Sequence, residues 1–254
     1  ADSDFVPLVR KLRAGGKQLF KSEVPGPTAE VIRPRVSETA SLLWKLYVGI
    51  SSVEVLLLHL QGMTLYEAMC HTFGTMATGG FSTKNASIGH YGSPAIDATV
   101  IVFMILAGTN FGLYFHLIRG DWRAIPRDPE WRSFISFIGV SVVLVTGSLL
   151  LNRIYGSVGE SLRFASFQVV SMVTTTGYGT ADFDVWPPLC KLILVTLMFV
   201  GGCAGSTGGG MKVIRISLLL KNAYIGVERV FRPHIVRTLK LGGVPVEPDT
   251  RDAI

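Results

Sequence analysis

The sequence is poor in charged residues and in cysteine. Only 17% of its 254 residues are charged, against roughly a quarter in soluble domains. The three cysteines, Cys70, Cys190 and Cys203, fit neither a disulfide framework nor a zinc spacing, and we expect buried apolar positions for them. No two of the five histidines form an HExxH pair. These absences exclude a disulfide-stapled domain and a zinc peptidase, and the low charge favours a membrane protein.

The basic residues lie beside apolar runs rather than forming a nucleic-acid surface. The net charge is +6, and no RNA- or DNA-binding motif accompanies it. The basic clusters comprise Arg10, Lys11, Arg13, Lys17, Lys21, Arg33, Arg35, Arg119, Arg123, Arg127, Arg132, Arg229, Arg232, Arg237 and Lys240. The positive-inside rule places these three clusters on the cytoplasmic side of a membrane. The sequence begins without Met, and we expect it to be an internal piece of a longer chain.

Four apolar runs are long enough, or nearly so, to cross a bilayer, which needs about 20 residues. They cover residues 39–60, 94–118 and 133–151, and the fourth runs from residue 187 into a glycine-rich stretch. Core helices of a soluble protein are the alternative, but the basic flanks argue against them. Two shorter semi-apolar stretches, one in each half, turn into Thr and Gly. Being too short to cross, they are predicted as re-entrant or interfacial helices.

The two halves of the sequence form a repeat with an offset of 97 positions, the distance from Gly80 to Gly177. "ATGGFST" (77–83) aligns with "TTTGYGT" (174–180), "AGTNFG" (107–112) aligns with "AGSTGG" (204–209), and the first apolar run falls on the third. Each unit is a helix, a re-entrant helix, a Thr/Gly segment and a helix, in the same orientation. The predicted divisions are a basic N-terminal segment (1–38), the first repeat (39–118), a cytoplasmic loop (119–132), the second repeat (133–222) and a cytoplasmic C-terminal segment (223–254).

The Thr/Gly segments suit the binding of a monovalent cation. Irregular backbone at membrane depth is tolerated where it lines a cavity or is buried in protein, because unpaired carbonyls in lipid are costly. Carbonyls that line a cavity are oxygen ligands, glycine permits the dihedral angles that aim them, and threonine adds a hydroxyl. "TTGYG" (175–179) differs from the potassium-channel TVGYG only by Thr for Val. A hairpin turn is the alternative, but the preceding helix and the second copy favour a cation filter.

These motifs make the sequence resemble the Trk, Ktr and HKT superfamily of potassium transporters, and within it the bacterial Trk membrane subunits most. The resemblance rests on "QLFKSEVPGPT", "ATGGFST", "NASIGHY", "TTTGYGT" and "GGCAGSTGGGMKVIR". It implies an all-α integral membrane fold, similar to potassium channels, of tandem parallel helix–pore-helix–helix repeats with re-entrant pore loops. Family members carry four repeats around one pore. This chain matches the central two, and it would supply half of the filter wall.

The resemblance also assigns residues to a potassium-binding filter. The positions are Ala77, Thr78, Gly79, Gly80 and Phe81 in the first repeat and Thr175, Thr176, Gly177 and Tyr178 in the second. Phe81 and Ser82 stand where the second repeat has Tyr178 and Gly179. The ring is therefore asymmetric, and weaker discrimination against sodium is expected.

The stretch "GGCAGSTGGGMK" (201–212) interrupts the last helix with six glycines, each costing about 1 kcal/mol in a helix interior. A phosphate-binding loop is disfavoured because Met211 separates Gly210 from Lys212 and no Ser or Thr follows the lysine. Close helix packing through small residues is one interpretation. In the resembling family this stretch is an intramembrane loop that obstructs the pore and moves to gate it. That role would fall on Gly201, Gly202, Gly205, Ser206, Thr207, Gly208, Gly209, Gly210 and Lys212.

Few other polar groups at membrane depth suggest a role. Glu54 lies within the first apolar run, and we expect a structural hydrogen bond for it. Glu67, Lys84 and Asp182 flank the filters, where acidic groups either concentrate cations or are simply solvated. No catalytic dyad or triad is present, so no enzymatic function is expected.

The expected function is potassium transport by a multi-pass protein of the bacterial inner membrane, through a carbonyl-lined filter gated by the glycine-rich loop. A less selective sodium/potassium transporter and a non-conducting membrane scaffold are the alternatives. No cofactor is expected, and potassium is the transported ligand. The resemblance implies a homodimer in membrane lipid, with a cytosolic ring of nucleotide-binding regulatory subunits on the basic inner face.

Overall fold

The computed structural model describes residues 36–231, 240–241 and 244–245, and these are almost entirely helical. In chain order the helices are α1 (Val36–Leu60), α2 (Leu65–Met76), α3 (Pro94–Gly108), α4 (Phe111–Ile118), α5 (Ala124–Arg127), α6 (Pro129–Leu151), α7 (Val158–Val173), α8 (Pro188–Phe199) and α9 (Val213–Phe231). Short 3₁₀ turns cover Ser87–Tyr91 and Phe183–Val185, and two-residue strands β1 (Lys240–Leu241) and β2 (Val244–Pro245) pair antiparallel. "QLFKSEVPGPT" and most of the predicted terminal segments lie outside the described residues.

The spanning helices agree with the sequence in two places and differ in a third. Among the described residues, α1 (over Ala40–Leu60) and α6 are each long and apolar enough to cross a membrane. Helices α3 and α4 pass the same test only together, with a bend of 97° between them. The apolar run at 94–118 therefore forms two helices with a sharp bend rather than one straight helix. The Asn110 side chain accepts a hydrogen bond from Gly112 N at 2.8 Å, which caps α4 and starts a new helix axis.

Two further helix boundaries differ from the predicted divisions. Helix α6 begins inside the predicted 119–132 loop, because Asp128 Oδ1 accepts from Trp131 N at 2.6 Å and proline suits the first helical position. Helix α9 continues to Phe231, past the predicted end of the second repeat at 222.

Helices α2 and α7 are the two short helices predicted to be re-entrant. Thr64 forms a capping box with Glu67 at the start of α2, and the Ser157 hydroxyl accepts from Glu160 N at the start of α7. They contain 12 and 16 residues, too few to cross a hydrocarbon core of about 30 Å. Each leads directly into a Thr/Gly segment and is called a pore helix below.

The 97-residue register holds at the ends of the pore helices but not throughout. Met76 and Val173, which end α2 and α7, are 97 positions apart, whereas Leu60 and Leu151, which end α1 and α6, are 91 apart. The longer α7 accounts for most of this difference. A single gap-free register for all elements is therefore wrong. It holds where the Thr/Gly segments begin.

The two repeats pack closely around α7, which contacts α6 and α8 of its own repeat and α3 of the first. The buried side chains of this core include Met104, Phe134, Val145, Phe167, Val170 and Leu194. Arg163 Nε of α7 pairs with Asp97 Oδ2 of α3 at 2.6 Å. Cys190 and Cys203 are buried as expected, whereas Cys70 is half-buried. Apolar packing and this ion pair fix the second pore helix against the first repeat.

Candidate functional site

The two Thr/Gly segments, residues 77–81 and 174–178, leave the pore helices in the same way. Four consecutive amides of each segment donate to carbonyls in the last turns of the preceding helix. The first set runs from Ala77, Thr78, Gly79 and Gly80 to Phe73, Thr75 and Gly74, and the second from Thr174, Thr175, Thr176 and Gly177 to Val170, Met172 and Ser171. Every member of the second set lies 97 positions after its counterpart. The amides therefore face the helices, and the carbonyls are directed elsewhere.

The backbone of both segments alternates in handedness. Positive φ values occur at Thr78 (51°), Gly80 (65°), Thr175 (58°) and Gly177 (88°), but not at the residues between them. Such alternation turns successive carbonyls toward one side and successive amides toward the other. A left-handed threonine is strained by about 1–2 kcal/mol, and such strain persists only where the surrounding structure enforces it.

The unpaired oxygens of the two segments lie close together. No described residue donates a hydrogen bond to the main-chain oxygens of Thr78, Gly79, Gly80, Thr175, Thr176 or Gly177. A β-carbon at Gly80 would lie 1.9 Å from Thr176 O and 3.1 Å from Gly177 C, so only glycine fits there. The two equivalent glycines are therefore neighbours, and the unpaired oxygens around them form a candidate cation site.

Tyr178 ties the second segment to the first repeat. Its side chain is fully buried, and its hydroxyl lies 2.9 Å from His71 O and 3.3 Å from Phe81 O, both acceptors. The same oxygen would lie 2.2 Å from a β-carbon at Gly74, so glycine is required in that helix. Phe81, the equivalent of Tyr178, is 84% exposed. Among the described residues, Tyr178 packs against the other repeat and Phe81 has no such neighbour.

A chain of side-chain hydrogen bonds, which the sequence did not reveal, connects α2 to Ser82, just after the first segment. His71 Nδ1 lies 2.7 Å from Glu67 O and donates to it, because a carbonyl only accepts. Its Nε2 then accepts from the Ser82 hydroxyl at 2.9 Å. Lys84 Nζ pairs with Glu67 at 2.6 Å and, together with Thr64, lowers the pKa of that carboxyl to about 2. The lowered pKa keeps the Glu67 carboxylate charged, and its ion pair with Lys84 intact, until the pH falls toward that value.

The glycine loop, residues 201–212, joins α8 to α9 and closes on itself at its base. Gly201 N donates to Met211 O at 2.8 Å. A β-carbon at Gly201 would lie 1.9 Å from Gly209 O. The two legs of the loop therefore approach as closely as glycine allows.

The loop packs against the bend between α3 and α4. Cys203 N donates to Gly108 O at 2.9 Å, and the Thr207 hydroxyl donates to Ala107 O at 3.1 Å. "AGTNFG" and "AGSTGG", which align in the sequence, are therefore in contact. The bend between α3 and α4, which the sequence did not predict, therefore forms part of the surface on which the glycine loop packs.

The loop tip, residues 205–209, also lies against both Thr/Gly segments. The Thr78 hydroxyl donates to Thr207 O at 2.9 Å, and Gly209 N donates to the Thr175 hydroxyl at 2.6 Å. Within the loop, Ser206 Oγ donates to Cys203 O, Lys212 Nζ donates to Gly208 O, and Gly205 and Gly210 have positive φ. The residues predicted for the gate and for the filter are thus brought together.

Glu130 bonds to the first leg of the glycine loop and to the start of α9, directly after the second leg. Its Oε1 accepts from Ala204 N at 2.8 Å and from Ile214 N at 3.2 Å. The residue is buried at the start of α6. Sequence reasoning missed it, because an acidic residue in the first turn of a helix is common where it only complements the helix dipole.

Replacing Glu130 with alanine is expected to lower the melting temperature of the purified full-length protein. The substitution leaves the amides of Ala204 and Ile214 without this acceptor, and a buried unpaired donor costs about 1–3 kcal/mol. Glu130→Gln keeps an oxygen at this position and is the matched control, for which a clearly smaller decrease is expected. Equal melting temperatures for the alanine and glutamine variants would mean that these two hydrogen bonds of Glu130 do not stabilise the protein.

The remaining predicted groups have structural surroundings. Glu54 is fully buried, but neither of its oxygens has a hydrogen-bond partner of good geometry in the part of the chain that the structure describes. The Thr75 hydroxyl, which donates to His71 O at 2.8 Å, is the group near the Glu54 carboxyl, so the expected hydrogen bond stays a prediction with Thr75 as its candidate donor. Asp182 caps the second 3₁₀ turn by accepting from Asp184 N. The described residues include no cluster of three or more His, Cys, Asp or Glu side chains that could hold a metal ion.

Comparison with known proteins gives consistent matches over most of the chain. The profile of the TrkH family, described as cation transport protein, matches residues 5–251. The Trk system potassium uptake protein TrkH of Salmonella typhimurium is 43% identical over 239 residues, which are 93% of this chain and 50% of that protein. TrkH of Escherichia coli K12 is 42% identical over the same shares of both chains. This chain therefore spans about half the length of the curated relatives it matches.

A solved structure matches the same region. The crystal structure of the potassium transporter TrkH from Vibrio parahaemolyticus superposes with a TM-score of 0.86 at 36% identity. The match covers 94% of this chain and 52% of that one. It confirms the predicted fold class, an all-α membrane fold of helix–pore-helix–helix repeats.

Proposed function

This chain belongs to the TrkH cation transport protein family, and on that premise we propose that it forms half of the wall of a potassium-conducting pore. The family consists of membrane transporters, so the predictions of a membrane protein and of a non-enzymatic function are confirmed. The curated relatives are named as potassium uptake proteins of Trk systems. Because this chain covers half of their length, potassium transport through it is inferred from that likeness together with the geometry of the Thr/Gly segments.

The unpaired carbonyls of the two segments are the main support for this function. Six main-chain oxygens receive no hydrogen bond from the described residues, and the sign of φ alternates in both segments. A dehydrated potassium ion needs oxygen ligands that protein donors do not already occupy. Two touching segments of this kind would supply such ligands from neighbouring sides of one axis.

The open side of Gly177 supports a pore that further repeats complete. A β-carbon at Gly80 would strike Thr176 of the neighbouring segment, whereas at Gly177 it would meet no described atom within 4 Å. In a ring of like repeats, each glycine of this kind would face the next repeat. We infer that the chain contributes the central two of four repeats and does not close a pore by itself.

The glycine loop is the proposed gate. Its tip contacts the ends of both segments nearest the pore helices, which the predicted topology places on the cytoplasmic side. Its first leg and the start of α9 are held by Glu130. Movement of the tip alone would therefore open the path below the filter.

The setting of the pore is proposed from charge and family resemblance. The basic segments favour a multi-pass protein of the bacterial inner membrane. The resemblance favours a homodimer in lipid, with cytosolic nucleotide-binding regulatory subunits on the basic inner face. No cofactor takes part, and potassium is the transported ligand.

A less selective sodium/potassium pathway is the second candidate, and one observation favours it. Tyr178 donates its hydroxyl proton to His71 O of the first repeat, whereas Phe81 at the equivalent position has no hydroxyl to donate. The two segments are therefore braced unequally. Unequal walls would hold ligand positions less strictly and would discriminate less sharply between the two ions.

Gly177→Ser is expected to lower the potassium-to-sodium permeability ratio of the full-length transporter by about tenfold. Serine at this φ is strained by about 1–2 kcal/mol, and relief of the strain would move the neighbouring carbonyls. The ratio is measured from ion uptake in a potassium-transport-deficient cell. Gly92→Ser is the matched control, because Gly92 also has positive φ and an open face within the described region but lies outside the segments. An unchanged ratio in Gly177→Ser would contradict a filter at this segment.

A further inference from the structure

We propose that the Thr78 and Thr175 hydroxyls latch the tip of the glycine loop to the filter, so that the loop cannot move without releasing both repeats. This inference rests on the proposed function, in which the loop is the gate. It assigns to these two side chains a positioning role that is separate from any contact of their main-chain oxygens with an ion.

The two latch residues are equivalent positions of the repeat, but they bond to the loop in opposite senses. Thr78 donates its hydroxyl proton to Thr207 O at 2.9 Å, and Thr175 accepts the amide proton of Gly209 at 2.6 Å. Two loop residues that are two positions apart are thus held by two threonines that are 97 positions apart. One hydroxyl from each repeat bonds to the tip, which also contacts the α3–α4 bend through Thr207.

The backbone strain at both threonines indicates that their side chains are needed. Thr78 and Thr175 have φ of 51° and 58°, a conformation that glycine adopts freely and threonine does not. A filter that used main-chain oxygens alone would be less strained with glycine at both positions. The hydroxyl is what glycine lacks, and in both repeats it bonds to the loop.

The close fit of the loop supports a specific contact. A β-carbon at Gly209 would lie 3.2 Å from Thr175 Oγ1, so glycine lets the amide approach the hydroxyl. Gly208 O, between the two bonded residues, accepts from Lys212 Nζ. The tip is therefore bonded at three consecutive residues, and the two outer bonds reach the filter.

The latch can open without stranding a buried polar group. The Thr78 hydroxyl has a second acceptor 2.8 Å away, Ala77 O in its own segment. Ala77 and Gly209 are exposed, so the amide that Thr175 releases would meet solvent. A contact that costs little free energy to break, for the loop and for the filter, suits a moving part. The buried hydrogen bonds of Glu130 would cost more to break.

The test uses the full-length transporter in membranes, with Thr78→Val, Thr175→Val and the double variant. Valine keeps the shape of threonine and removes the hydroxyl, and Thr78→Ser and Thr175→Ser restore it. Each valine variant is expected to raise resting rubidium flux about fivefold, and the double variant about twenty-five-fold, and restoring the hydroxyl with serine is expected to reverse most of that rise. Thr196→Val is the matched control, because its hydroxyl bonds only within α8.

Hydrogen exchange separates failure of the latch from failure of the proposed function. Peptides that cover residues 205–210 are expected to exchange about fivefold faster in Thr175→Val than in wild type, while the Ala204 and Ile214 amides that bond to Glu130 are unchanged. Wild-type exchange at the tip in the valine variants would overturn the latch, whatever the flux. Faster exchange with no rubidium flux in any form, wild type included, would support the latch and contradict the pore. If a valine variant does not reach the membrane, Thr175→Ala carries the same two expectations.

Discussion

Gly80→Ala is expected to reduce potassium uptake by the full-length transporter roughly a hundredfold. The new methyl group would lie 1.9 Å from Thr176 O and 2.9 Å from Thr176 C. Backbone cannot yield as a flexible side chain can, so one Thr/Gly segment must shift away from the other. The residue also has φ of 65°, which adds strain. Together the overlap and the strain cost about 2–4 kcal/mol, which corresponds to roughly 30- to 1,000-fold in the population of a correctly formed filter.

The matched control for this variant is Gly49→Ala. Gly49 lies within α1, and a β-carbon there would meet nothing within 4 Å in the described structure. Alanine is favoured over glycine in a helix interior, so uptake should remain near wild type. The comparison is made with equal amounts of protein in the membrane. Wild-type uptake by Gly80→Ala would mean that the contact between the two segments is unimportant for permeation.

Gly201→Ala is expected to have the opposite effect, raising resting ion flux about tenfold. The methyl group would lie 1.9 Å from Gly209 O and 3.0 Å from two further backbone carbons of the opposite leg. The legs of the glycine loop would separate, and the tip would lose its fit under the filter. Backbone overpacking of this kind costs about 1–3 kcal/mol, which shifts the balance between closed and open loop by roughly five- to a hundredfold.

Gly147→Ala is the control for the loop variant. It lies within α6, and its β-carbon would have open space among the described residues. Resting flux is measured as rubidium efflux from vesicles, without added regulatory partner or nucleotide. Unchanged efflux in Gly201→Ala would argue that the glycines serve only close helix packing. A rise in ion flux for Gly201→Ala together with a fall for Gly80→Ala would distinguish the gate from the filter. A general loss of stability would lower the flux of both variants.

The parts of the site that the sequence predicted are those that depend on the main chain. "TTGYG" and its weaker copy require unusual backbone angles. Because few residue types allow those angles, the residue types in these segments predict the backbone conformation. The structure has positive φ at Thr78 and Thr175 and at Gly80 and Gly177, in the register that the sequence gives. The glycine-rich interruption of the last helix was predicted for the same reason.

The parts that the sequence did not predict depend on contacts between distant elements. The bend at Thr109 and Asn110 lies in an apolar run, where its one sequence signal is the alignment of "AGTNFG" with "AGSTGG", and the glycine loop packs against it. Glu130 is an ordinary first-turn acid in sequence, and its role requires two distant backbone amides to reach it. Tyr178 bonds to His71 O of the other repeat, a contact that its alignment with Phe81 does not reveal. The residue types in one short stretch of sequence cannot specify contacts with distant elements.

The most direct test of this account is the position of rubidium ions in a crystal of the full-length protein, located by their anomalous scattering. We expect ion density on one axis, in contact with the main-chain oxygens of both Thr/Gly segments near Gly80 and Gly177. We expect the glycine loop to lie directly below that density. Rubidium bound elsewhere, or segment carbonyls turned toward lipid in the complete protein, would contradict the proposed filter.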